Sequence, residues 1–270
     1  MMMNRSRWQT DQKESKIKAN DTICKGMTHF GFKKVPVDDK VKWVLRHFNT
    51  VANKYDLMNT LLSFGIHHLW KRTSVRMLRL RKGDIVIDIC GGTGDLSLLA
   101  AKDVRLSGRV ILYDINKAMM ERGISKVANS PFAGNIFFVQ GDAERLSFPD
   151  CSFDAATVGF GVRNLTHLDQ GLREIHRILK PNGKLMCLEF SRPTAPLFLW
   201  LYDVYSFYIM PFLGQLIVGS KQAYTYLPES IRMFPLPAEL ACILESIGFY
   251  SVSHRRLTNG IAVVHLARKK

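Results

Sequence analysis

The segment Asp88–Asp95 contains the residues best suited to chemistry. It has the sequence DICGGTGD, follows a predicted strand and precedes a helical pattern. Gly92 and Gly94 lack a Cβ atom, so the backbone can turn tightly and approach a ligand closely. Dinucleotide-binding folds use the same kind of strand–helix turn. The segment therefore predicts a nucleotide-containing ligand but does not by itself choose among such ligands.

Two details of this turn favour S-adenosylmethionine over a dinucleotide. The dinucleotide pattern requires a third glycine where Ser97 stands. Asp95, at the start of a predicted helix, would repel a pyrophosphate, whereas an acid there suits a ligand with a cationic amino group. We therefore expect three contacts to S-adenosylmethionine from this turn: Asp88, Gly92 and Gly94.

Two further acids follow predicted strands. Asp114 ends the second strand about 20 residues after Gly94, where a carboxylate can accept hydrogen bonds from ribose hydroxyls. The alternative is that Asp114 caps the next helix. Asp142, followed by Ala143, comes after the third strand, where an adenine amine would donate to it; the alternative is an ordinary turn aspartate. Because parallel strands end at one edge of a sheet, these sites outline one ligand.

Short apolar segments alternate with helical patterns from Asp84 onward. The predicted strands are Asp84–Ile89, Arg109–Tyr113, Ile136–Val139, Ala155–Val158 and Lys184–Phe190, with helices at Asn116–Ala128 and Leu168–Leu179. This alternation predicts an α/β fold with a parallel sheet and helices on both faces. A last strand pair is joined through Asn259–Gly260, a strong hairpin signal. An antiparallel terminal hairpin on a Rossmann-like sheet is typical of class I methyltransferases.

Composition and charge set broad limits. The chain has 270 residues, 47% of them hydrophobic, which suits one sizeable globular domain. Five scattered cysteines argue against a disulfide framework or a metal site and favour a reducing cytoplasm. Residues 1–82 contain 18 basic and 6 acidic side chains, against 20 and 17 in the remainder. This basic third suits an anionic membrane surface or nucleic acid, or is a solvated basic face without a specific partner.

The domain prediction has two parts. Residues 1–27 lack the apolar segment of a secretory signal and are polar, which predicts a disordered basic tail. Residues 28–270 then form one methyltransferase domain with a helical N-terminal cap at 36–82 and a helical lid insertion at about 194–232.

The lid contains the apolar segment Pro196–Gly219, which passes a crude length test for a membrane span. Asp203 weighs against a span, because a carboxylate at mid-bilayer costs about 2.5–3.5 kcal/mol on insertion scales. Pro211 and Gln215 weaken it further. We therefore predict two shorter apolar helices that cover an apolar pocket and touch a membrane surface.

Several separated blocks make the chain resemble the ubiquinone/menaquinone biosynthesis C-methyltransferase family from about Thr28 to Leu266. The blocks read THFGF at 28–32, YDLMN at 55–59 with Ser63, His67 and Trp70 after it, FGVRN at 160–164, RILKPNG at 177–183, LEFS at 188–191, YDVYS at 202–206 and ESIR at 229–232. Their number and order make chance agreement negligible.

The resemblance implies both a reaction and further cofactor contacts. The reaction is methylation of a ring carbon of a polyprenylated quinol by S-adenosylmethionine, with either a naphthoquinol or a benzoquinol ring. The contacts implied are Thr93, Asp114, Asp142 and Ala143. A fourth family position is a serine in some members and is Gly159 here, so a hydroxyl contact is lost there.

The resemblance and the chemistry together suggest catalytic candidates, each with a structural alternative. Arg163 follows the fourth strand and is expected to stabilise a phenolate or organise a deprotonating water; the alternative is a structural salt bridge. Asn164 is expected to orient the substrate, and Tyr55 with Asp56 to form a flap over the cofactor; the alternative for Asp56 is a helix cap. Asp203, isolated among apolar residues, is either a base with a raised pKa or a hydrogen-bonded anchor.

The remaining expectations concern partners and rival functions. A polyprenyl quinol, peripheral membrane contact and a homodimer are expected, and nucleic acid is not, because the loop after the fourth strand reads GFGVRN rather than the NPPY-like sequence of base-flipping enzymes. Rival functions are methylation of another lipophilic molecule, or a non-catalytic quinone-binding protein. His67 and His68 are expected to be packing or surface residues rather than a base.

Overall fold

A seven-stranded sheet forms the centre of the computed structural model, which describes residues 26–270. The strands are β3 (Ile85–Ile89), β4 (Arg109–Asp114), β5 (Ile136–Gln140), β6 (Phe153–Gly159), β7 (Leu179–Phe190), β8 (Phe249–Leu257) and β9 (Ala262–Lys269). Their order is β5-β4-β3-β6-β7-β9-β8. The first five strands are parallel, and β9 pairs antiparallel with both β7 and β8. The predicted α/β class and the antiparallel hairpin are confirmed.

Helices cover both faces of this sheet. They are α1 (Val37–Val51), α2 (Tyr55–Leu62), α3 (Ile66–Leu78), α4 (Asp95–Val104), α5 (Lys117–Ala128), α6 (Leu168–Ile178), α7 (Pro196–Val218), α8 (Lys221–Met233) and α9 (Pro237–Ile247). Successive β-strand residues point to opposite faces. Val86 accordingly joins the core cluster under α3, α4 and α5, whereas Ile87 joins the cluster under α6 and α9.

A small antiparallel hairpin precedes the cap helices. Its strands are β1 (Met27–Phe30) and β2 (Lys33–Pro36). The Gly26 carbonyl accepts a hydrogen bond from the Val37 N–H at 3.1 Å. The predicted tail boundary at residue 27 was therefore wrong, because Met27 is a paired strand residue. Residues 1–25 of the predicted tail lie outside the described residues.

The lid insertion contains one long helix rather than the two shorter apolar helices predicted. Helix α7 runs without a break, but its middle, Tyr205–Ile209, has π-helical hydrogen bonding. Pro211 stands two residues after this segment. A proline lacks an N–H and clashes with the carbonyl four residues earlier, which here belongs to the π segment. The wider π turn accommodates it without ending the helix. By length and composition α7 could cross a membrane, and 22% of its most apolar window is buried.

Candidate active site

The carboxyl ends of the parallel strands border a cavity of about 1030 Å³, here called the strand-end cavity. Its lining includes one aspartate from each of three strands: Asp88 in β3, Asp114 at the end of β4 and Asp142 just beyond β5. The sequence placed these acids after successive strands, and the parallel sheet brings them to one edge. Open α/β sheets bind ligands at this edge.

Asp88 supports the glycine turn from beneath. Its side chain is fully buried, and its two oxygens accept hydrogen bonds from Ser97 Oγ at 2.6 Å and Thr157 Oγ1 at 2.8 Å. Burial raises the pKa of Asp88 to about 6, although both hydroxyl donors act in the opposite direction. The carboxylate thus holds helix α4 against strands β3 and β6, and both of its oxygens already have protein donors.

Asp114 closes the glycine turn from the neighbouring strand. Gly92 N donates to Asp114 Oδ2 at 2.8 Å, and Asn116 N donates to Asp114 Oδ1 at 2.7 Å. Gly92 has a φ of +52°, in the left-handed region where other residues are strained. The side chain of Asn116 caps helix α5 by accepting from Met119 N, so the alternative cap role for Asp114 is wrong. Desolvation raises the pKa of Asp114 to about 6.

The far side of the strand-end cavity is formed by Asp142, Ala143 and Gly159. Asp142 Oδ1 accepts from Glu144 N at 2.9 Å, which fixes the carboxylate in the turn after β5. A Cβ atom on Gly159 would lie 2.5 Å from Leu96 Cδ1. A serine at position 159 would therefore require Leu96 to move.

The donor and acceptor chemistry of this cavity fits S-adenosylmethionine. Each oxygen of Asp114 accepts one backbone N–H and retains a lone pair for a ribose hydroxyl. Asp142 likewise retains acceptor capacity for an amine. The carboxylates that line this cavity favour a ligand with a positive charge, which a sulfonium provides, over a pyrophosphate. Asp114, Asp142 and the Gly92 backbone would hold the cofactor.

An ion-pair cluster joins the cap helices to the glycine turn. Lys71 on α3 and Lys126 on α5 approach Asp95 at 2.6 and 2.7 Å, and Lys126 also contacts Asp56 on α2 at 2.5 Å. Asp56 Oδ1 accepts from Thr93 Oγ1 at 2.7 Å. We call these five residues the clasp. They support the predicted flap role for Asp56 over its alternative as a helix cap.

The clasp corrects one prediction from the sequence. Asp95 was expected to present a free negative charge to the ligand, but Lys71 and Lys126 neutralise it. Burial alone would raise the pKa of Asp95, yet the two ammonium groups outweigh burial and hold that pKa well below its usual range. Asp95 also lies near His67 and His68, the ligand atoms of the three residues being within 4.8 Å of one another. The two lysines make this cluster unfavourable for a cation.

A second cavity of about 910 Å³ lies between the cap helices and the lid, and we call it the cap cavity. Its lining is mostly apolar and aromatic, including Phe190, Met210 and Tyr224. The two cavities adjoin, because four residues line both: Phe48, Tyr55, Lys71 and Phe160. Tyr55 was predicted to belong to the site, and the structure places it at this boundary.

Arg163 lines the cap cavity and forms a buried ion pair with Glu189. Arg163 Nη1 lies 2.8 Å from Glu189 Oε1 and also donates to the Phe160 carbonyl. The side chains of Arg163 and Glu189 are 7% and 2% exposed. Arg163 Nε has no partner among the described residues. The structural salt bridge that was the alternative role for Arg163 is therefore present. It leaves the Nε–H of the guanidinium without a hydrogen-bond acceptor among the described residues.

Asn164 connects the two cavities to the lid. It lines the strand-end cavity, and its Oδ1 accepts from Tyr226 Oη on α8 at 2.7 Å. The Tyr226 ring stacks on Phe30 of β1 with centroids 3.9 Å apart. Tyr226 of the lid thus fixes the orientation of the Asn164 side chain. The amide oxygen is occupied, and the amide nitrogen is left to contact a substrate.

Asp203 is not isolated among apolar residues, as the sequence suggested. Its Oδ1 accepts from Arg232 Nη2, and it is not among the residues that line either cavity. Its neighbour Tyr202 lines the cap cavity instead. The geometry favours the anchor alternative, in which Asp203 joins α7 to α8, over a base that reaches substrate.

Several residues of the site were not selected as such from the sequence. These residues lie far along the chain from the partners they contact. They are Glu189, Lys71, Lys126, Tyr226 and His47. The only signal for Glu189 was an acid within the apolar strand KLMCLEF, which implies a buried cationic partner but does not identify it. His67 is buried and His68 exposed, in agreement with their predicted packing and surface positions.

The fold and the strand-end site define a class I methyltransferase. A SAM-dependent methyltransferase structure from Aquifex aeolicus has the same fold, with a TM-score of 0.58 and 19% identity over 80% of this chain and 98% of that one. A family model, the ubiE/COQ5 methyltransferase family, matches residues 34–269.

Two relatives are much closer in sequence. The ubiquinone/menaquinone biosynthesis C-methyltransferase UbiE of Marinomonas sp. (strain MWYL1) is 46% identical over 89% of this chain and 96% of its own length. That of Stutzerimonas stutzeri (strain A1501) is 47% identical over 88% and 93%. The chain belongs to the ubiE/COQ5 methyltransferase family. The predicted family, enzyme class and S-adenosylmethionine cofactor are thereby supported.

Proposed function

We propose that this chain transfers a methyl group from S-adenosylmethionine to a ring carbon of a polyprenylated quinol. The observation that carries the proposal is the pair of adjoining cavities, one lined by carboxylates and the other apolar with a single buried guanidinium. The relatives are ubiquinone/menaquinone biosynthesis C-methyltransferases, and that function calls for such a substrate. A hydroquinone ring with a prenyl tail would fit the cap cavity, its ring directed toward the strand-end cavity.

The residues of the two cavities have complementary tasks. When bound, S-adenosylmethionine supplies an electrophilic methyl group on a cationic sulfur. Asp114 and Asp142 would bind the nucleoside, and the clasp would keep the cap closed over it. A ring carbon ortho to a hydroxyl becomes nucleophilic as that hydroxyl loses its proton, and Arg163 would stabilise the resulting phenolate. Asn164 and Tyr55 would orient the ring.

Exclusion of water from the cap cavity also favours the reaction. Charge is lost as the sulfonium and the phenolate neutralise each other, so a poorly hydrated cavity favours the transition state over the separated ions. Phe160 and Phe190 stack with centroids 4.2 Å apart beside Arg163 and form an apolar wall at the boundary. Positioning of the two reactants at this boundary would supply much of the remaining rate acceleration.

Quinone profiling of cells that lack this protein tests the substrate. Accumulation of a demethylated naphthoquinone would assign the naphthoquinol, accumulation of a demethylated benzoquinone would assign the benzoquinol, and both together would assign both. The purified protein should then methylate the corresponding quinol in a detergent assay. An unchanged quinone pool, or failure to bind S-adenosylmethionine by calorimetry, would contradict the proposal and favour the non-catalytic alternative.

Peripheral membrane contact is part of the same proposal, because the prenyl tail is a lipid. Large apolar side chains are exposed along α7 and the neighbouring α2–α3 turn, a surface we call the apolar face. Its members are Leu57, Leu61, Phe64, Ile66, Leu69, Leu197, Phe198, Trp200, Leu201, Val204, Tyr208, Ile209, Phe212 and Leu216. Tyr205 joins the two parts, since its Oη donates to the Leu62 carbonyl at 2.8 Å and its ring lies 6.3 Å from that of Phe64.

The charge around the apolar face favours an anionic bilayer as its partner. Lys54 contacts the Ile217 carbonyl at one border, Lys221 follows α7, and Arg72 and Arg76 are exposed on α3. Each basic side chain near an anionic membrane contributes about 1 kcal/mol to binding.

Tyr202 and Met210 of α7 also line the cap cavity, so a prenyl tail could pass from the bilayer into the site. Free Cys90, Cys151, Cys187 and Cys242 suit a reducing compartment, such as the cytoplasmic side of a membrane.

Vesicle flotation tests this contact. The wild type should float with vesicles of phosphatidylcholine and phosphatidylglycerol and less well with phosphatidylcholine alone. The variant Trp200→Glu/Phe212→Glu should stay with the unbound fraction, whereas Leu106→Glu, an equally exposed apolar residue outside the apolar face, should float normally. If the wild type does not float but forms a dimer in sedimentation equilibrium that Trp200→Glu/Phe212→Glu disrupts, the apolar face is a homodimer interface instead.

A further inference from the structure

Methylation of a quinol carbon requires an acceptor for the hydroxyl proton, and most ionisable groups of the cap cavity cannot serve. Arg163 and Lys71 are cations, paired with Glu189 and Asp95. Burial raises the pKa of Tyr202 to about 12 and also raises the pKa values of Tyr224 and Tyr226, so these tyrosines retain their protons.

Tyr55, at the boundary of the two cavities, carries a phenol, the same functional group as the quinol, and so offers no advantage as a proton acceptor. Two histidines remain, and their surroundings differ. His67 Nε2 lies 3.2 Å from Thr60 Oγ1, and its Nδ1 is fully enclosed by the protein, where no ligand could reach it. His47 on α1 lines the cap cavity, and no described residue is hydrogen-bonded to its imidazole. Its ring is held by packing alone, 4.7 Å from the Tyr226 ring and 5.0 Å from the Phe48 ring. His47 is therefore fixed in position with its nitrogens unused.

The position of His47 in the chain places it at the end of the cap cavity where the reaction must occur. The next residue, Phe48, lines both cavities. Arg163 also lines the cap cavity, and its neighbour Asn164 lines the strand-end cavity. The Arg163 charge acts on His47, and with burial it lowers the pKa of His47 to about 4. His47 is consequently neutral at pH 7, with a nitrogen lone pair free to accept a proton. Because the same surroundings disfavour its imidazolium form, His47 must return the proton within the same catalytic cycle.

We propose that His47 is the catalytic base that accepts the quinol hydroxyl proton. The inference rests on the proposed function of the site. As the O–H proton moves to an imidazole nitrogen, the ortho ring carbon forms its bond to the methyl group while the sulfur–methyl bond breaks and leaves its electron pair on sulfur. The same ring carbon then releases its hydrogen as a proton to water, and the oxygen regains a proton from His47. One proton is released overall.

The activity of His47→Phe tests the inference, because phenylalanine retains the ring that packs against Tyr226 and Phe48. General base catalysis contributes about 100- to 10,000-fold, so kcat should fall by at least 100-fold. The affinity for S-adenosylmethionine and the thermal midpoint should remain close to those of the wild type. His254→Phe, the same change at an exposed position of β8, should retain normal kcat. In His47→Ala, added imidazole should restore part of the activity by occupying the space of the missing ring.

A measurement without turnover separates catalysis from packing. In wild-type protein labelled with ¹⁵N-histidine, anaerobic binding of geranyl-1,4-benzoquinol should shift one imidazole nitrogen resonance, and His47→Phe should remove that resonance. Quinol methylation within threefold of wild type in folded His47→Phe, or no histidine shift on quinol binding, would overturn the role of His47. Absence of quinol methylation by the wild type would instead overturn the proposed function.

Discussion

The strand-end cavity and the cap cavity adjoin but are built in opposite ways. In the first, Asp88, Asp114 and Asp142 lie at or just beyond the carboxyl ends of strands of one sheet. Short hydrogen bonds from neighbouring backbone and hydroxyl groups hold each of them. The cap cavity is lined by residues from α1, α2, α3, α7 and α8, from the loop after β6, from the end of β7 and from the connection between β8 and β9. The first has buried acids, and the second has buried bases and aromatic rings.

This difference matches the charges of the two expected ligands. A sulfonium cation is stabilised beside carboxylates, and a phenolate is stabilised beside a guanidinium. Burial pushes the acids of one cavity and the histidines of the other toward their neutral forms: Asp88 and Asp114 have pKa values of about 6, and His47 and His67 of about 4. At pH 7 these acids are still mostly ionised and the histidines are neutral, so the strand-end cavity remains anionic.

The largest expected effect is in the cap cavity. Arg163→Met should lower turnover about 100- to 1000-fold through the loss of phenolate stabilisation. It should also lower the free energy of unfolding by about 3–5 kcal/mol, because the buried Glu189 would lose its partner. Turnover is measured with saturating S-adenosylmethionine, and stability by chemical denaturation.

The double variant Arg163→Met/Glu189→Gln separates these two effects. Glutamine retains an acceptor for Phe190 N, which donates to Glu189 at 2.9 Å, and leaves no unpaired charge. Stability should therefore recover while turnover stays low. Recovery of turnover together with stability would show that Arg163 has only a structural role.

The corresponding change in the strand-end cavity is Asp114→Asn. It should weaken S-adenosylmethionine binding about 10- to 100-fold, since hydrogen bonds to a charged group contribute about 1.5–3 kcal/mol. In the wild type the affinity should also decline below pH 6, because protonation of Asp114 removes the carboxylate. Calorimetry from pH 5 to 8 measures both effects. An unchanged affinity, or an equal loss of affinity for quinol, would contradict the division of tasks between the cavities.

Acidification should affect the two cavities in opposite directions. His47 has a folded pKa of about 4, below its ordinary 6.5, so its contribution to stability is lost as pH falls from 6.5 to 4. Asp114 has a folded pKa of about 6, above its ordinary 3.8, so the folded state gains stability as pH falls from 6 to 3.8. Each fully titrating group changes the slope of unfolding free energy against pH by at most about 1.4 kcal/mol per pH unit.

Denaturation curves between pH 4 and 7 measure these slopes. The slope of unfolding free energy against pH should become shallower in His47→Phe and steeper in Asp114→Asn, both relative to the wild type. If both variants changed this slope in the same direction, Asp114 and His47 would not have the opposite effects on stability that their pKa values predict.

The smallest expected effect concerns the clasp. Lys126→Met removes contacts to Asp56 and Asp95, but these side chains are partly exposed and ion pairs of this kind contribute about 1 kcal/mol or less. The dissociation rate of S-adenosylmethionine should rise about two- to fivefold, with little change in stability. Stopped-flow displacement measures the rate, and Lys102→Met, an exposed lysine on α4, is the control. Identical rates in both variants would show that the clasp does not retain the cofactor.

Prediction from the sequence succeeded where the relevant contacts are local. The glycine turn, the strand-end acids and the terminal hairpin depend on residue order within one strand–turn–helix unit, and all three lie where they were predicted. It failed at the lid, where two shorter apolar helices were predicted but a π turn before Pro211 joins them into the single helix α7. It also misjudged Asp95 and Asp203, because their cationic partners Lys71 and Arg232 lie 24 and 29 positions away.

The sequence by itself therefore determined the α/β class, the family and the edge of the sheet at which a nucleotide-containing cofactor would bind. The periodicity of apolar residues and the preferences of turn residues depend on neighbours a few positions apart, so both can be recognised in the sequence. Only the tertiary structure decided which charges are paired and which basic nitrogen is unused. Tyr226 meets Asn164 across 62 positions, and Arg163 meets Glu189 across 26. Such pairs form because burial of a charge or a polar group requires a partner, and packing of distant segments selects that partner.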